Sequence, residues 1–434
     1  MTDPIPAPME GIYPLGSNPA SGVFGVHSGR MLVVGQDEQG ADVELAAGEG
    51  SVWLDMNDGL TMRWRVDTPQ RLQLEDVRLR LSRRGLGSVD VPATVTNSSG
   101  SGHIKPANLG RSENLSHVIV HWFNTPAILP SSPLALPNVT FAGRWVSEAA
   151  GWRLTFDQRA DHTQATDQVR GTSRSVFTHV GKLERIDGSG FTADEADHVL
   201  SGWQVALSFA TGRWVAPVLP VGYRPDGALA WEQWAPWYCS RYHGHFGFWD
   251  THRSEDLNEL CSKFMTHWLD PSLHAAARHT ARHAICASSD DAMLEAKVSL
   301  AQSGIEYLAW VQNVIEGTSS ATSYKGLPAH AKLNDMLSVA QVPLIIPPEL
   351  EGLARLAPSN MQTGPLATTW LRNKLVHPKD AAQPYKIESA LWSCWLLSLE
   401  YLELLLLHRL DYRGHYLPKR PHIWAHQSIP VPWA

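Results

Sequence analysis

Arg71-Leu72-Gln73-Leu74-Glu75-Asp76-Val77-Arg78-Leu79-Arg80-Leu81 places an apolar side chain at nearly every second position. A strand turns successive side chains to opposite faces, so this alternation specifies a strand with one face buried and one wet. Met31 to Val34, Val118 to Phe123, Val139 to Trp145 and Trp152 to Phe156 read as further strands. Turn residues such as Asn97-Ser98-Ser99-Gly100 separate some of them. From about Ser254 the apolar period changes. Leu257, Leu260, Cys261, Phe264, Trp268 and Leu269 recur at helical spacing, and helical patterning persists from there. The expected fold class is therefore α+β, a β-rich and mainly antiparallel N-terminal domain followed by an all-α one.

One helix interrupts the β region. Thr192-Ala193-Asp194-Glu195 can cap a segment running to about Ala210, with Leu200, Trp203, Leu207 and Ala210 on one side and Gly212 as its stop. In the helical region, Asp290 or Asp291 can cap a helix to about Ile315, striped by Leu294, Val298, Ala301, Ile305, Leu308 and Val311. Helices over about 329–340, 366–377 and 387–410 complete a four-helix bundle. The tail from Asp411, rich in aromatic residues and proline, reads as an extended wrap. The expected organisation is a flexible leader (1–22), a β-rich sensor or regulatory domain (23–250), a helical linker (251–284) and a helical domain with its tail (285–434).

Bulk properties narrow the function. The chain has 434 residues and a net charge of −7, so a nucleic-acid site must be a local positive patch. Cys239, Cys261, Cys286 and Cys394 form no C-x-x-C pair, which argues against a zinc site or a disulfide framework. Met1-Thr2-Asp3-Pro4 does not open a secretory signal. The greasiest run, Trp392 to Leu407, is interrupted by Glu400 and Glu403 and is short for a bilayer. A soluble cytoplasmic protein without a membrane partner is expected. Eleven of the 18 tryptophans lie in the first 250 positions and are read as core rather than as stacking platforms. His267, His274, His279 and His283 have no carboxylate or cysteine partner at ligand spacing, so a solvated or linker face is expected there.

The chemistry concentrates at Leu371-Arg372-Asn373-Lys374-Leu375-Val376-His377-Pro378. R-x4-H spacing alone is not specific. Arg174/His179 and Arg278/His283 share it, and Arg409/His415 has one residue more. Position separates them. Pro378 disfavours helix at His377, so the imidazole should sit at a helix C-terminus, where the dipole favours its protonated form. Asn373 and His377 share a helix face, whereas Arg372 points about 140° away from His377 on an ideal helix. A guanidinium can clamp a phosphate and an imidazolium can donate to a leaving oxygen. RNA carries its own nucleophile in the 2′-hydroxyl. The structural alternative is a helix C-cap, with Lys374 and His377 bonding the last carbonyls.

The region from Ile285 to about Arg420 resembles the HEPN family, a four-helix fold carrying an R-x4–6-H motif. The resemblance rests on Arg372-Asn373 with His377-Pro378, on Ala301-Gln302-Ser303-Gly304-Ile305-Glu306-Tyr307-Leu308, and on Tyr401 to Leu407 followed by Asp411-Tyr412-Arg413-Gly414-His415-Tyr416. Similar arrangements with a β-rich N-terminal domain occur in ApeA-like phage-defence proteins. The resemblance implies a metal-independent endoribonuclease of the toxin or abortive-infection type, with no metal and no cofactor, leaving a cyclic phosphate. It implies that Arg372 binds phosphate, that His377 transfers a proton and that Asn373 orients His377 or the substrate. One motif per chain implies a homodimer acting on RNA, with a phage-derived or small-molecule trigger on the β-rich domain. Glu306 is expected to be structural or to border the cleft. Two other readings stand beside this one. One is a non-catalytic HEPN scaffold whose β-rich domain binds a ligand or partner. The other is a β-domain hydrolase using His117, His121, His243 or His245.

Overall fold

The computed structural model describes residues 5–11, 22–57, 59–73, 75–235, 237–244, 246–421 and 427–434. The expected leader, Leu74 of the alternating strand and His245 fall wholly or mostly outside them. The chain divides into two compact units: residues 1–204 with 214–244, and residues 205–213 with 245–434. Strands dominate the first and helices the second, so the fold is α+β.

The first unit begins with strands Val23–Gln36 (β1), Asp42–Asp55 (β2), Thr61–Val66 (β3), Asp76–Arg83 (β4), Gly87–Asn97 (β5) and Ser101–Ile104 (β6). They close into an antiparallel barrel in the order β1-β2-β3-β6-β5-β4, which leaves no exposed edge. On β4, Val77, Leu79 and Leu81 are buried in the barrel, with Leu79 opposite Val33 and Leu81 opposite Met31. Arg78 and Arg80 point outward and pair with Asp42 and Asp90. The alternation over Val77–Leu81 is thus a half-buried strand. It begins only at Asp76, and Arg71–Gln73 precede it as irregular chain.

Strands Ala107–Gly110 (β7), His117–Phe123 (β8), Ser132–Leu136 (β9), Val139–Ala149 (β10), Trp152–Gln158 (β11), Phe177–Arg185 (β12), Ala216–Tyr223 (β13) and Leu229–Trp234 (β14) form one sheet. Its order is β7-β14-β13-β8-β12-β11-β10-β9. Helices His162–Val169 (α1) and Ala193–Thr211 (α2) are inserted between its strands. The capping box at the start of α2 forms as expected: Thr192 Oγ1 accepts from the Glu195 N–H at 3.2 Å and Glu195 accepts from the Thr192 N–H at 2.8 Å. Gly212, at φ +68°, ends the helix. Of the eleven early tryptophans, nine are buried, and only Trp53 and Trp237 are half-exposed. They are core residues.

The second unit contains Ser254–Leu269 (α3), His274–Ser288 (α4), Leu294–Trp310 (α5), Ala321–Gly326 (α6), Ala329–Val339 (α7), Glu351–Leu356 (α8), Gly364–Val376 (α9) and Glu388–Arg409 (α10). Helix α10 packs against α4, α5, α8 and α9, and α5 packs against α4, α7 and α9. Two expectations need correction. The boundary at 284/285 falls inside α4, which buries Ala277, Ala281, Ala284 and Ile285 and is a packed helix rather than a linker. Helix α5 starts at Leu294 with Met293 at its cap and no side-chain cap bond. It continues through a wider turn, Val311–Ile315, closed by the Glu316 N–H on the Val311 carbonyl.

Ser389–Arg409 is long and apolar enough to cross a membrane, but 94% of its most apolar window is buried inside the protein. It is the central core helix, and its two acids are neutralised within the unit. Lys419 Nζ lies 3.1 Å from Glu403, with both side chains under 5% exposed. Arg420 makes a two-pronged pair with Glu400. These contacts pin the tail, whose Tyr412 and Trp433 are also buried.

Candidate functional site

Helix α9 is set on α10 by close packing at its start. A Cβ on Gly364 would collide with the Tyr401 hydroxyl, so only glycine permits this approach. Ala367, Thr368 and Leu371 are buried on the same side. With Leu371 turned inward, Asn373, Val376 and His377 are left exposed. His377 leaves the helix at φ −129°, ψ 66°, as the following proline requires. Its backbone N–H still reaches the Asn373 carbonyl at 2.8 Å. The imidazole therefore stands in solvent beyond the last turn and makes no hydrogen bond to a described residue.

Arg372 turns the other way. Its side chain is 24% exposed and its Nη2 lies 3.4 Å from Glu306 Oε1 on α5. Its Nη1 donates to Asn373 Oδ1 at 3.2 Å, and its Nε is buried without a hydrogen-bond partner. The structure thus brings Arg372, Asn373 and Glu306 together and leaves His377 apart from the guanidinium. Asn373, expected to orient His377 or the substrate, accepts from Arg372. The quarter-exposed end of the guanidinium is the part an anion could meet, and Glu306 competes for its charge. The pairing of Glu306 with Arg372 was not readable in the sequence, because the two lie on helices 66 positions apart in the chain.

The other R-x4-H pairs are not equivalent. His179 is buried between Phe156 and His162, and burial drives its pKa well below the usual imidazole value. His283 stacks on Tyr307 on the flank of α4. Arg409 is engaged by Glu316 through two bonds of 2.8 and 2.6 Å. His415 lies 3.3 Å from Asp256.

The histidines of the β-domain reading stand in different surroundings. His121 is fully buried between Phe24 and Phe177, and burial lowers its pKa to about 4. His117 stacks on Tyr223 with ring centres 5.0 Å apart. His243 is half-buried, and its Nδ1 lies 2.8 Å from the Gly244 carbonyl. The buried imidazole of His121 is closed off from solvent. Among the described residues no three His, Cys, Asp or Glu side chains group as metal ligands. The β unit does hold an open pocket of about 600 Å³, lined by Arg83, Arg84, Tyr223, Leu229 and Glu232. Arg83 is paired to Glu232 at 2.7 Å and lies over Trp234 there.

Residues 110–245 match the model of the YopA central domain, and residues 277–428 match that of the YopA C-terminal domain. No solved structure matches the chain. The boundary of the second match at 277 takes in nearly all of α4, in keeping with its packing in the helical unit. Over 284 residues the chain is 28% identical to the SPbeta prophage-derived uncharacterized protein YopA of Bacillus subtilis (strain 168), covering 64% of this chain and 63% of that protein. These matches attach no activity to the domains they name.

Proposed function

We propose that the helical unit is a HEPN-type, metal-independent endoribonuclease of the toxin or abortive-infection kind, acting on cytoplasmic RNA as a homodimer. The observation that carries this reading is the end of α9. A solvent-exposed imidazole stands at a helix C-terminus, five positions from a partly exposed guanidinium. Arg372 clamps the scissile phosphate. The RNA 2′-oxygen bonds to phosphorus while the bond from phosphorus to the 5′-oxygen breaks, giving a cyclic phosphate and a free 5′-hydroxyl. One His377 takes the 2′-hydroxyl proton and the second copy's His377 protonates the leaving oxygen. General acid–base help of this kind contributes about 10²–10⁴-fold. Asn373 holds the guanidinium plane. The prophage origin of the similar Bacillus subtilis protein fits an anti-phage role, and the pocket beside Arg83 and Tyr223 suits a small-molecule trigger.

The test is incubation of the purified chain with total RNA and tRNA in EDTA, beside Arg372→Ala/His377→Ala. Cleavage by the wild type only, with cyclic phosphate ends, is expected. Cleavage retained by the double variant sinks the assignment. The ion pair between Glu306 and Arg372 favours a second reading, a HEPN scaffold that dimerises without cutting. A stable dimer that binds a ligand through its β unit and leaves every RNA intact would select it.

A further inference from the structure

Helix α4 carries a second group of cations near the same site. Between His274 and His283 it holds Arg278, His279 and Arg282 and no acidic residue. Ala276, Ala277, Thr280, Ala281 and Ala284 take the buried side, so the arginines and His279 and His283 line the other. Helix α5 adds an aromatic ring between them. Tyr307 meets His279 edge-on at 5.6 Å and His283 nearly face-on at 6.5 Å. Burial and the neighbouring Arg278 and Arg282 lower the pKa of His279.

Glu306 is held by Arg372 and Glu316 by Arg409. Tyr307 directly follows Glu306, so the group begins one residue from the partner of Arg372. A single helix, about 10–12 Å across, separates the two. Single-stranded nucleic acid binds where cations track the backbone and aromatic faces accept bases. The protein is acidic overall, so a helix face with Arg278, Arg282 and no acidic residue is the kind of local patch an RNA site requires.

We propose that Arg278, His279, Arg282 and His283 of α4, with Tyr307 of α5, form a track that binds single-stranded RNA and leads it to Arg372 and His377. The proposal rests on the ribonuclease reading for its destination but makes a separate claim about binding.

The experiment uses the full-length chain carrying Arg372→Ala/His377→Ala, so that RNA survives, and a labelled unstructured RNA oligonucleotide in EDTA. Affinity is read by fluorescence anisotropy across a salt series. Adding Arg278→Glu/Arg282→Glu should weaken binding by roughly tenfold or more and flatten the salt slope by about 1.4, at 0.7 for each lost phosphate contact. Arg278→Gln/Arg282→Gln, checked for folding by circular dichroism, should fall between and serves if the reversed pair does not fold. Tyr307→Leu should lower affinity without changing the slope. Unchanged affinity and slope in the folded arginine variants overturns the track. Absence of RNA binding by the parent chain also overturns it and assigns the face to a protein partner. Binding through this face by a wild-type chain that never cleaves removes the nuclease reading and keeps the track. Full cleavage by a wild-type background carrying the reversed pair does the opposite.

Discussion

Arg372 is the residue on which the functional reading turns, and its environment makes a definite forecast. It shares its charge with Glu306 at 3.4 Å, both side chains being partly exposed. Such pairs contribute about 0.2–1 kcal/mol. Glu306→Gln should therefore change unfolding free energy by less than about 1 kcal/mol, while freeing the guanidinium and raising RNA affinity several-fold in the His377→Ala background. A larger loss of stability in denaturant titration would show instead that the pair holds α5 to α9. Glu403 makes a different forecast. Its burial raises its pKa to about 7, against the pull of Lys419. A carboxyl group with a raised folded-state pKa contributes stability that is fully present below its ordinary value near 4.5 and lost as pH rises through about 7. Glu403→Gln should flatten the dependence of Tm on pH across that window, and an unaltered profile would contradict the assignment.

Among the elements, α5 shows how packing overrides propensity. Glycine in a helix interior costs about 1 kcal/mol relative to alanine, so Gly304→Ala would ordinarily stabilise. Here an added Cβ would lie 2.8 Å from the His283 Cβ and 2.8 Å from Leu402 Cδ2. The substitution should destabilise by about 1–3 kcal/mol through overpacking against α4 and α10, measured as a shift of the denaturation midpoint. A gain in stability would mean that these helices separate at little cost. Helix α2 gives the complementary case, where local chemistry prevails. Thr192→Ala removes the cap on the Glu195 N–H and should cost about 1 kcal/mol.

For the whole molecule, the buried histidines of the β unit and Glu403 of the helical unit should answer acid with opposite signs. In the β unit, burial holds His121 near 4 and His179 well below its usual value. A lowered histidine pKa means that the unfolded chain binds more protons below about 6.5, so stability is lost as pH falls from there toward the folded-state value. Glu403 works the other way in the helical unit. Between pH 7 and 5 the β unit should weaken while the contribution of Glu403 to the helical unit grows. Hydrogen exchange mapped to each unit and corrected for intrinsic rates tests this. His121→Phe, which keeps a ring between Phe24 and Phe177, should reduce the β-unit slope.

The sequence by itself determined what depends on neighbours in the chain. The alternation over Arg71–Leu81 marked a strand that forms from Asp76 onward, the change of period near Ser254 marked the helical unit, Thr192 and Glu195 marked a helix start, and Pro378 marked the end of α9. Each follows from backbone geometry within a few residues. Only the tertiary structure decided the rest. Barrel closure, the place of α4 in the helical unit, the turn of Arg372 toward Glu306 and the meeting of Tyr307 with His279 and His283 all join residues distant in the chain. Their pairing is chosen by packing and charge in three dimensions, which local periodicity does not encode.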